Sequence, residues 1–222
     1  MRVLVACEYS GRVRDAFLAA GHDAISCDVL PTDVTGPHYQ GDVRDILGDG
    51  YDLMIAHPPC TYLSVSGMHW TARGLRDPQL TEDALDFVRE LMNAPISKIC
   101  IENPVSVISS RIRKPDQIIH PWMFGDDASK KTCLWLKGLP ELVSTRIVEP
   151  RIVNSKKRWA NQTDSGQNNL PPSDDRWKER SKTYPGIASA MAAQWGGESV
   201  LLGREMGNSI QDRQQSLVFD FA

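Results

Sequence analysis

A chain of 222 residues, 41% hydrophobic and 24% charged, can bury one sizeable core. A formal charge of −3 advertises neither a nucleic-acid nor a membrane partner, and no apolar run nears the roughly 20 residues a spanning helix needs. The apolar run in the opening "MRVLVACEYSGRV" is too short for a signal peptide and reads instead as a first strand.

In chain order, "RVLVACE" (2–8) predicts a strand, and Val13 to Ala20 an amphipathic helix closed by Gly21. "DAISCD" (23–28) predicts a second strand, and Asp52 to Ala56 another after a turn-rich stretch. Thr81 is placed as the N-cap of a helix reaching about Asn93, with Glu82 and Asp83 in its first turn. "SKICIE" (97–102) and "KTCLWLKG" (131–138) predict two further strands. Strands separated by helices at this spacing predict an α/β, Rossmann-like, doubly wound and mostly parallel sheet over residues 1–140, with ligands at the carboxyl ends of its strands.

After Pro140 the apolar periodicity is lost, and residues 141–183 read as a small loop-rich insert. From Lys137 to Lys182 ten lysines and arginines face six acids, so this block is locally basic in an acidic chain. Gly186 to Trp195 has a helical face, so residues 184–196 are expected to return to the core and leave 197–222 as a tail.

The five cysteines (7, 27, 60, 100 and 133) form no Cys-x-x-Cys pair, which predicts reduced thiols in a cytoplasmic setting, with no disulfide framework and no metal. Cys7, Cys27, Cys100 and Cys133 lie in strand-like runs and are expected to be buried. Cys60 follows its strand instead, in "YDLMIAHPPCTYLS". Pro59 fixes its own φ and holds Pro58 extended, so the turn is stiff and aims Cys60 in one direction, as a nucleophile requires. Glu102, in "ENPV" at the next strand end, is placed as an acid–base partner, provided burial raises its pKa. His57 reads as a packing or hydrogen-bonding residue.

Tyr9, Ser10 and Gly11 turn from a strand into a helix, and Asp28 and Asp42 follow the next strands. Both acids could be ordinary turn formers. They also suit a nucleoside-bearing cofactor, because an acid at the second strand end can accept both ribose hydroxyls. Gly11 stands alone where a dinucleotide fingerprint wants three glycines, which disfavours a pyrophosphate cofactor.

"HPPC" followed by "ENPV", with Asp28 and Asp42 upstream, resembles the cytosine-C5 DNA methyltransferases, in particular their short phage-type members. The likeness covers roughly residues 1–137 in motif order and continues more weakly to 196. It implies an S-adenosylmethionine cofactor, a double-stranded DNA substrate with base flipping, and, for a phage-encoded enzyme, the bacterial host cytoplasm. It also implies that Cys60 adds to carbon 6 of cytosine while Glu102 hydrogen-bonds N3 and the exocyclic amine. Lys130 and Thr132, in "SKKTCLWL", would replace the two arginines of the family's Gln-x-Arg-x-Arg strand. Tyr9 to Gly11 would surround the methionine part of the cofactor, Asp28 would take the ribose, Asp42 the adenine amine, and Pro58 would lie close by.

Beyond the two missing arginines, the chain departs from the family in four places. It has "CEYSG" where the family shows Phe-x-Gly-x-Gly, and Pro104 is inserted before Val105. The closing motif is assigned to "PGIASAMAAQW" in preference to "GNSI" at 207–210, and the insert is small for target recognition. Amino-methylation of cytosine N4 or adenine N6, methylation of a free cytosine nucleotide, and a degenerate DNA-binding module are the competing readings. Lys156, Lys157 and Arg158 beside Trp159, and Arg176, Lys178 and Arg180 around Trp177, are candidate phosphate contacts or a plain solvated surface. "QQSLVF" (214–219) resembles the peptides that bind the bacterial sliding clamp, through Gln214, Leu217 and Phe219, or else docks on the chain itself.

Overall fold

The computed structural model describes residues 1–197. In order, its elements are β1 (Arg2–Ala6), α1 (Arg12–Ala19), β2 (Asp23–Asp28), β3 (His38–Gln40), β4 (Leu53–Ala56), α2 (Val65–Ala72), α3 (Gln79–Met92) and β5 (Lys98–Pro104). There follow α4 (Ile108–Arg111), β6 (Gln117–Ile119), β7 (Thr132–Lys137), β8 (Arg151–Val153), β9 (Lys156–Arg158), α5 (Arg176–Ser181) and α6 (Pro185–Trp195).

One seven-stranded sheet runs in the order β3-β2-β1-β4-β5-β7-β6. The first five strands are mutually parallel, whereas β7 runs antiparallel to both neighbours, with Thr132 opposite Pro104 and Leu134 opposite Glu102. This is the expected Rossmann-like doubly wound sheet, closed at one edge by an antiparallel pair. Alternation along the strands builds two cores, as a sheet covered on both faces requires. Leu4, Ala6, Met54, Ala56 and Ile101 pack with Leu85, Val88 and Leu91 of α3 on one face. On the other, Val3, Val5, Leu53, Ile55 and Leu134 meet Phe17 of α1 and Ile187, Met191 and Trp195 of α6.

Two local expectations are corrected. Thr81 lies inside α3 and caps nothing: the helix begins after Pro78, and the Thr81 hydroxyl donates to Met68 Sδ at 3.6 Å in the interior. Cys7 is a half-buried residue just past β1, with φ +58°, a left-handed conformation uncommon for any residue with a Cβ. The strand therefore stops one residue before it. Residues 141–183 are loop-rich as expected, with only the short β8–β9 hairpin and α5, and Trp159 stacks on Trp122 at 5.6 Å and Trp122 on His120 at 5.6 Å. Cys27, Cys100 and Cys133 are buried as expected. The clamp-like residues Gln214, Leu217 and Phe219, and "GNSI" at 207–210, lie outside the described residues. Among the described residues, no helix is long and apolar enough to cross a membrane.

Candidate active site

The chain leaves β3 for β4 by crossing to the other side of β1, so the strand order reverses between β1 and β4. A cleft is expected outside the carboxyl ends at such a switch point. A cavity of about 870 Å³ lies there, lined by Cys7 to Ser10 after β1, His57 to Cys60 after β4, Glu102 to Val105 at the end of β5, Lys130 before β7, and Trp177 and Arg180 of α5. That volume suits a small-molecule or cofactor site.

Cys60 is exposed to this cleft, with Pro58 buried behind it and Pro59 exposed. Two features hold the turn. The Cys60 carbonyl accepts from the Leu63 and Ser64 amides at 3.1 and 2.9 Å, and Asn103 Nδ2 donates to the buried Pro58 carbonyl at 2.8 Å. Asn103 is itself 1% exposed, and its Oδ1 has no hydrogen-bond partner among the described residues. Beyond the turn, Ser64 caps α2 by accepting from the Gly67 amide at 3.2 Å. A Cβ at Gly67 would collide with the Thr61 carbonyl, so this close approach needs glycine. Burial raises the Cys60 thiol pKa, as does the charge of Glu102, while Lys130 and Arg180 oppose the rise.

Glu102 corrects an expectation. Burial pushes its pKa up, but the hydrogen bond from His57 Nδ1 to Oε2 at 3.1 Å, the Lys130 charge and a hydrogen bond from Thr132 outweigh it, and the carboxyl sits below its ordinary range. The resting group is a carboxylate. Lys130 and Thr132 stand beside it, with Lys130 Nζ also donating to the Arg180 carbonyl at 3.0 Å.

The residues after β1 serve the helix more than the cleft. Glu8, a buried carboxylate, accepts from the α1 amides of Val13 and Arg14 at 2.7 and 3.2 Å and from the Ser10 hydroxyl at 3.2 Å. It fills the helix N-terminus where an anion would otherwise bind. Gly11 takes φ +70° at the N-cap, where a Cβ would strike the Arg14 guanidinium. Tyr9 packs on Trp177 at 6.1 Å between ring centres, and its hydroxyl donates to the Lys178 carbonyl at 2.9 Å. With the Lys182–Asp33 ion pair at 3.3 Å, these contacts strap α5 across the rim.

Asp28 and Asp42 do not line the cleft but stand close behind Cys7, whose thiol is raised first by burial and then by Asp28, Cys27 and Asp42. Asp28 ends β2 half-buried; burial raises its carboxyl pKa, and its Oδ1 accepts from the Leu30 amide at 2.9 Å. Asp42 spends one oxygen on the Arg44 amide and the other on the Arg44 guanidinium, each at 3.0 Å. The basic residues divide likewise. Lys156 and Lys157 are exposed, and Arg180 lines the cleft. Arg158, by contrast, is spent on the carbonyls of Lys157, Asp164 and Ser165, and Lys178 pairs with Asp175 at 3.2 Å. Arg176 is partly buried, its Nε lacking a partner among the described residues. Trp159 and Trp177 are taken up by Trp122 and Tyr9, a structural use that interleaving with basic residues did not reveal.

Sequence reasoning gave no part to Glu8 or Asn103, whereas His57, read as a packing or hydrogen-bonding residue, bonds Glu102. An acid five residues before a helical amide, and an asparagine after the strand-end glutamate, were the available signals.

No protein-family model matches the chain, and no curated protein does. Among solved structures, an Escherichia coli protein described as a prophage-encoded DNA modification methyltransferase shares 14% identity, over 67% of this chain and 52% of its own, at a TM-score of 0.45. A methyltransferase of Entamoeba histolytica shares 15%, over 67% of this chain and 58% of its own, at a TM-score of 0.46. The chain thus spans little more than half the length of either. At this level of similarity the chemistry has to be read from the site's own side chains.

Proposed function

We propose that this chain transfers a methyl group from S-adenosylmethionine to carbon 5 of cytosine in DNA. The observation that carries the reading is one cleft, at the topological switch point, holding an exposed cysteine on a braced Pro-Pro turn and a buried glutamate flanked by Lys130. Carbon 5 of cytosine is a weak nucleophile until a thiolate adds to carbon 6, and an exposed thiol sharing a cleft with a buried carboxyl supports that chemistry.

The cofactor would supply an activated methyl group. The residues present suit a nucleoside with a single carboxylate better than a pyrophosphate, since Glu8 already occupies the helix N-terminus. Tyr9 and Pro58, which line the cleft, would pack beside the ligand. Cys60 would form the transient bond to carbon 6, with Lys130 and Arg180 favouring its thiolate. Glu102 would hold the exocyclic amine and N3 of the extruded base. Lys156, Lys157 and Arg180 remain available for phosphates.

The test is incubation with methyl-labelled cofactor and duplex DNA, followed by nucleoside analysis. The expected product is 5-methylcytosine, abolished by Cys60→Ser. Label in N4-methylcytosine or N6-methyladenine, surviving that substitution, would replace this reading with amino-methylation.

A further inference from the structure

The β8–β9 hairpin follows a stricter pattern than the loops around it. Val153 pairs with Lys156, which leaves Asn154 and Ser155 alone in the turn, at φ +48° and +60°. Positive φ at both central residues makes a type I′ turn, whose twist matches that of the paired strands. Glycine takes the second of these positions most easily, and serine there accepts a strain that glycine would relieve. Strain of this kind gathers where a side chain is used.

The two faces of the hairpin differ. Opposed residues share a face, so Arg151 and Arg158 lie together, and both grip one loop. Arg151 pairs with Asp164 and donates to the Gln162 carbonyl at 2.7 Å, while Arg158 donates to the Asp164 and Ser165 carbonyls at 3.0 and 3.3 Å. That loop lines the cleft through Asn161, Gln162 and Gly166. Asn161 in turn exchanges two hydrogen bonds with the Ser129 backbone, at 2.9 and 3.1 Å, one residue before Lys130. A short run of hydrogen bonds therefore holds the hairpin at a fixed place relative to the reacting groups. Ile152 and Lys157 occupy the other face, where Ile152 is 64% exposed. The side chains of Asn154, Ser155, Lys156 and Lys157 are exposed, and none makes a hydrogen bond or ion pair among the described residues.

We propose that this hairpin enters the major groove of duplex DNA and reads bases beside the target cytosine, with Asn154 and Ser155 on base edges and Lys156 and Lys157 on phosphates. The inference rests on the DNA reading above and goes beyond it by naming the residues that choose the sequence. A two-stranded ribbon fits the major groove, and an asparagine there bonds N6 and N7 of adenine together. The lysines suit a polyanion, in a stretch where ten lysines and arginines face six acids. A tip of two residues makes the recognition sequence short.

The test uses the full chain and a duplex library in which the bases flanking one cytosine are randomised. Bound duplexes are sequenced, and 5-methylcytosine formed in the same library is measured separately. Wild type is expected to enrich one flanking base, adenine foremost, by about fivefold to 150-fold. Asn154→Gly keeps the left-handed turn and removes only the side chain, so it is expected to lose that preference, which a merely structural tip would leave in place. Lys156→Ala and Lys157→Ala are expected to weaken binding to all sequences alike, each lowering the slope of log affinity against log salt by about 0.9. A wild type that favours no flanking base, or an Asn154→Gly variant that favours the same base as strongly, overturns the proposal. Salt slopes unchanged in both lysine variants, or tighter retention of single-stranded than of duplex DNA, overturn it too. A wild type that selects a sequence yet makes no 5-methylcytosine removes the methylation reading and leaves the hairpin's role standing. That outcome is distinct from an active wild type whose preference survives Asn154→Gly.

Discussion

Asn103 offers the sharpest test of how the Pro-Pro-Cys turn is held. Its side chain gives one hydrogen bond, 2.8 Å to the carbonyl of buried Pro58, and leaves Oδ1 without a partner among the described residues. Asn103→Leu removes both polar atoms at similar volume. The stranded Pro58 carbonyl costs about 1–3 kcal/mol, partly offset by losing an acceptor that was already unpaired, for a net loss of roughly 1–2 kcal/mol. In a domain of this size that lowers the melting temperature by about 2–8 °C. Asn103→Asp is worse, because it sets a second acceptor against the carbonyl and buries an unpaired charge, at a cost of about 3 kcal/mol or more. Both variants should also slow adduct formation by Cys60 on 5-fluorocytosine DNA, the aspartate more than the leucine, because the thiol's direction depends on this turn. Thermal melting and the single-turnover adduct rate read the two effects separately. If both variants melt within about 1 °C of wild type and trap DNA at the same rate, the brace is not what holds the nucleophile.

Three further outcomes follow from the site. Glu102 has a folded pKa below its unfolded value, so its contribution to stability is present above the unfolded pKa of about 4 and is lost as pH falls through the folded one; Glu102→Gln should flatten that acid limb of the stability profile, and an unchanged limb would show that the carboxyl is not held ionised. Lys130 lowers the pKa of both Cys60 and Glu102, so Lys130→Met should move the pH profile of adduct formation to higher pH, and an unmoved profile would remove Lys130 from thiol activation. Glu8→Ala strips the α1 amides of Val13 and Arg14 of a buried charged acceptor and should cost about 1–3 kcal/mol by denaturant titration; a loss below about 0.5 kcal/mol would mean that the carboxylate does not cap the helix.

The sheet was legible in the sequence because its strands are short, apolar and separated by helical stretches, and burial on both faces leaves little choice of register. The turn at Cys60 was legible for a local reason: two prolines after an apolar strand leave the next side chain one direction. What escaped was tertiary. Nothing in "KTCLWLKG" says that this strand runs against its neighbour. Thr81 followed by two acids has the form of a cap, and only the contact with Met68 draws it inside the helix. The ionisation of Glu102 was reversed because burial was outweighed by His57, Lys130 and Thr132, which converge on it from two segments distant in the chain. Trp159 and Trp177 sit among basic residues in the chain, yet their partners Trp122 and Tyr9 come from distant parts of the chain and decide their use.

The central claim is a temporary sulfur–carbon bond, and one measurement addresses it directly. Wild-type protein is incubated with S-adenosylmethionine and duplex DNA in which 5-fluorocytosine replaces cytosine, and the cross-linked peptide is mapped by mass spectrometry. The account predicts a denaturant-resistant complex whose nucleotide is attached to Cys60 through carbon 6. Attachment at another residue, or 5-methylcytosine made on ordinary DNA by a Cys60→Ala variant, would contradict it.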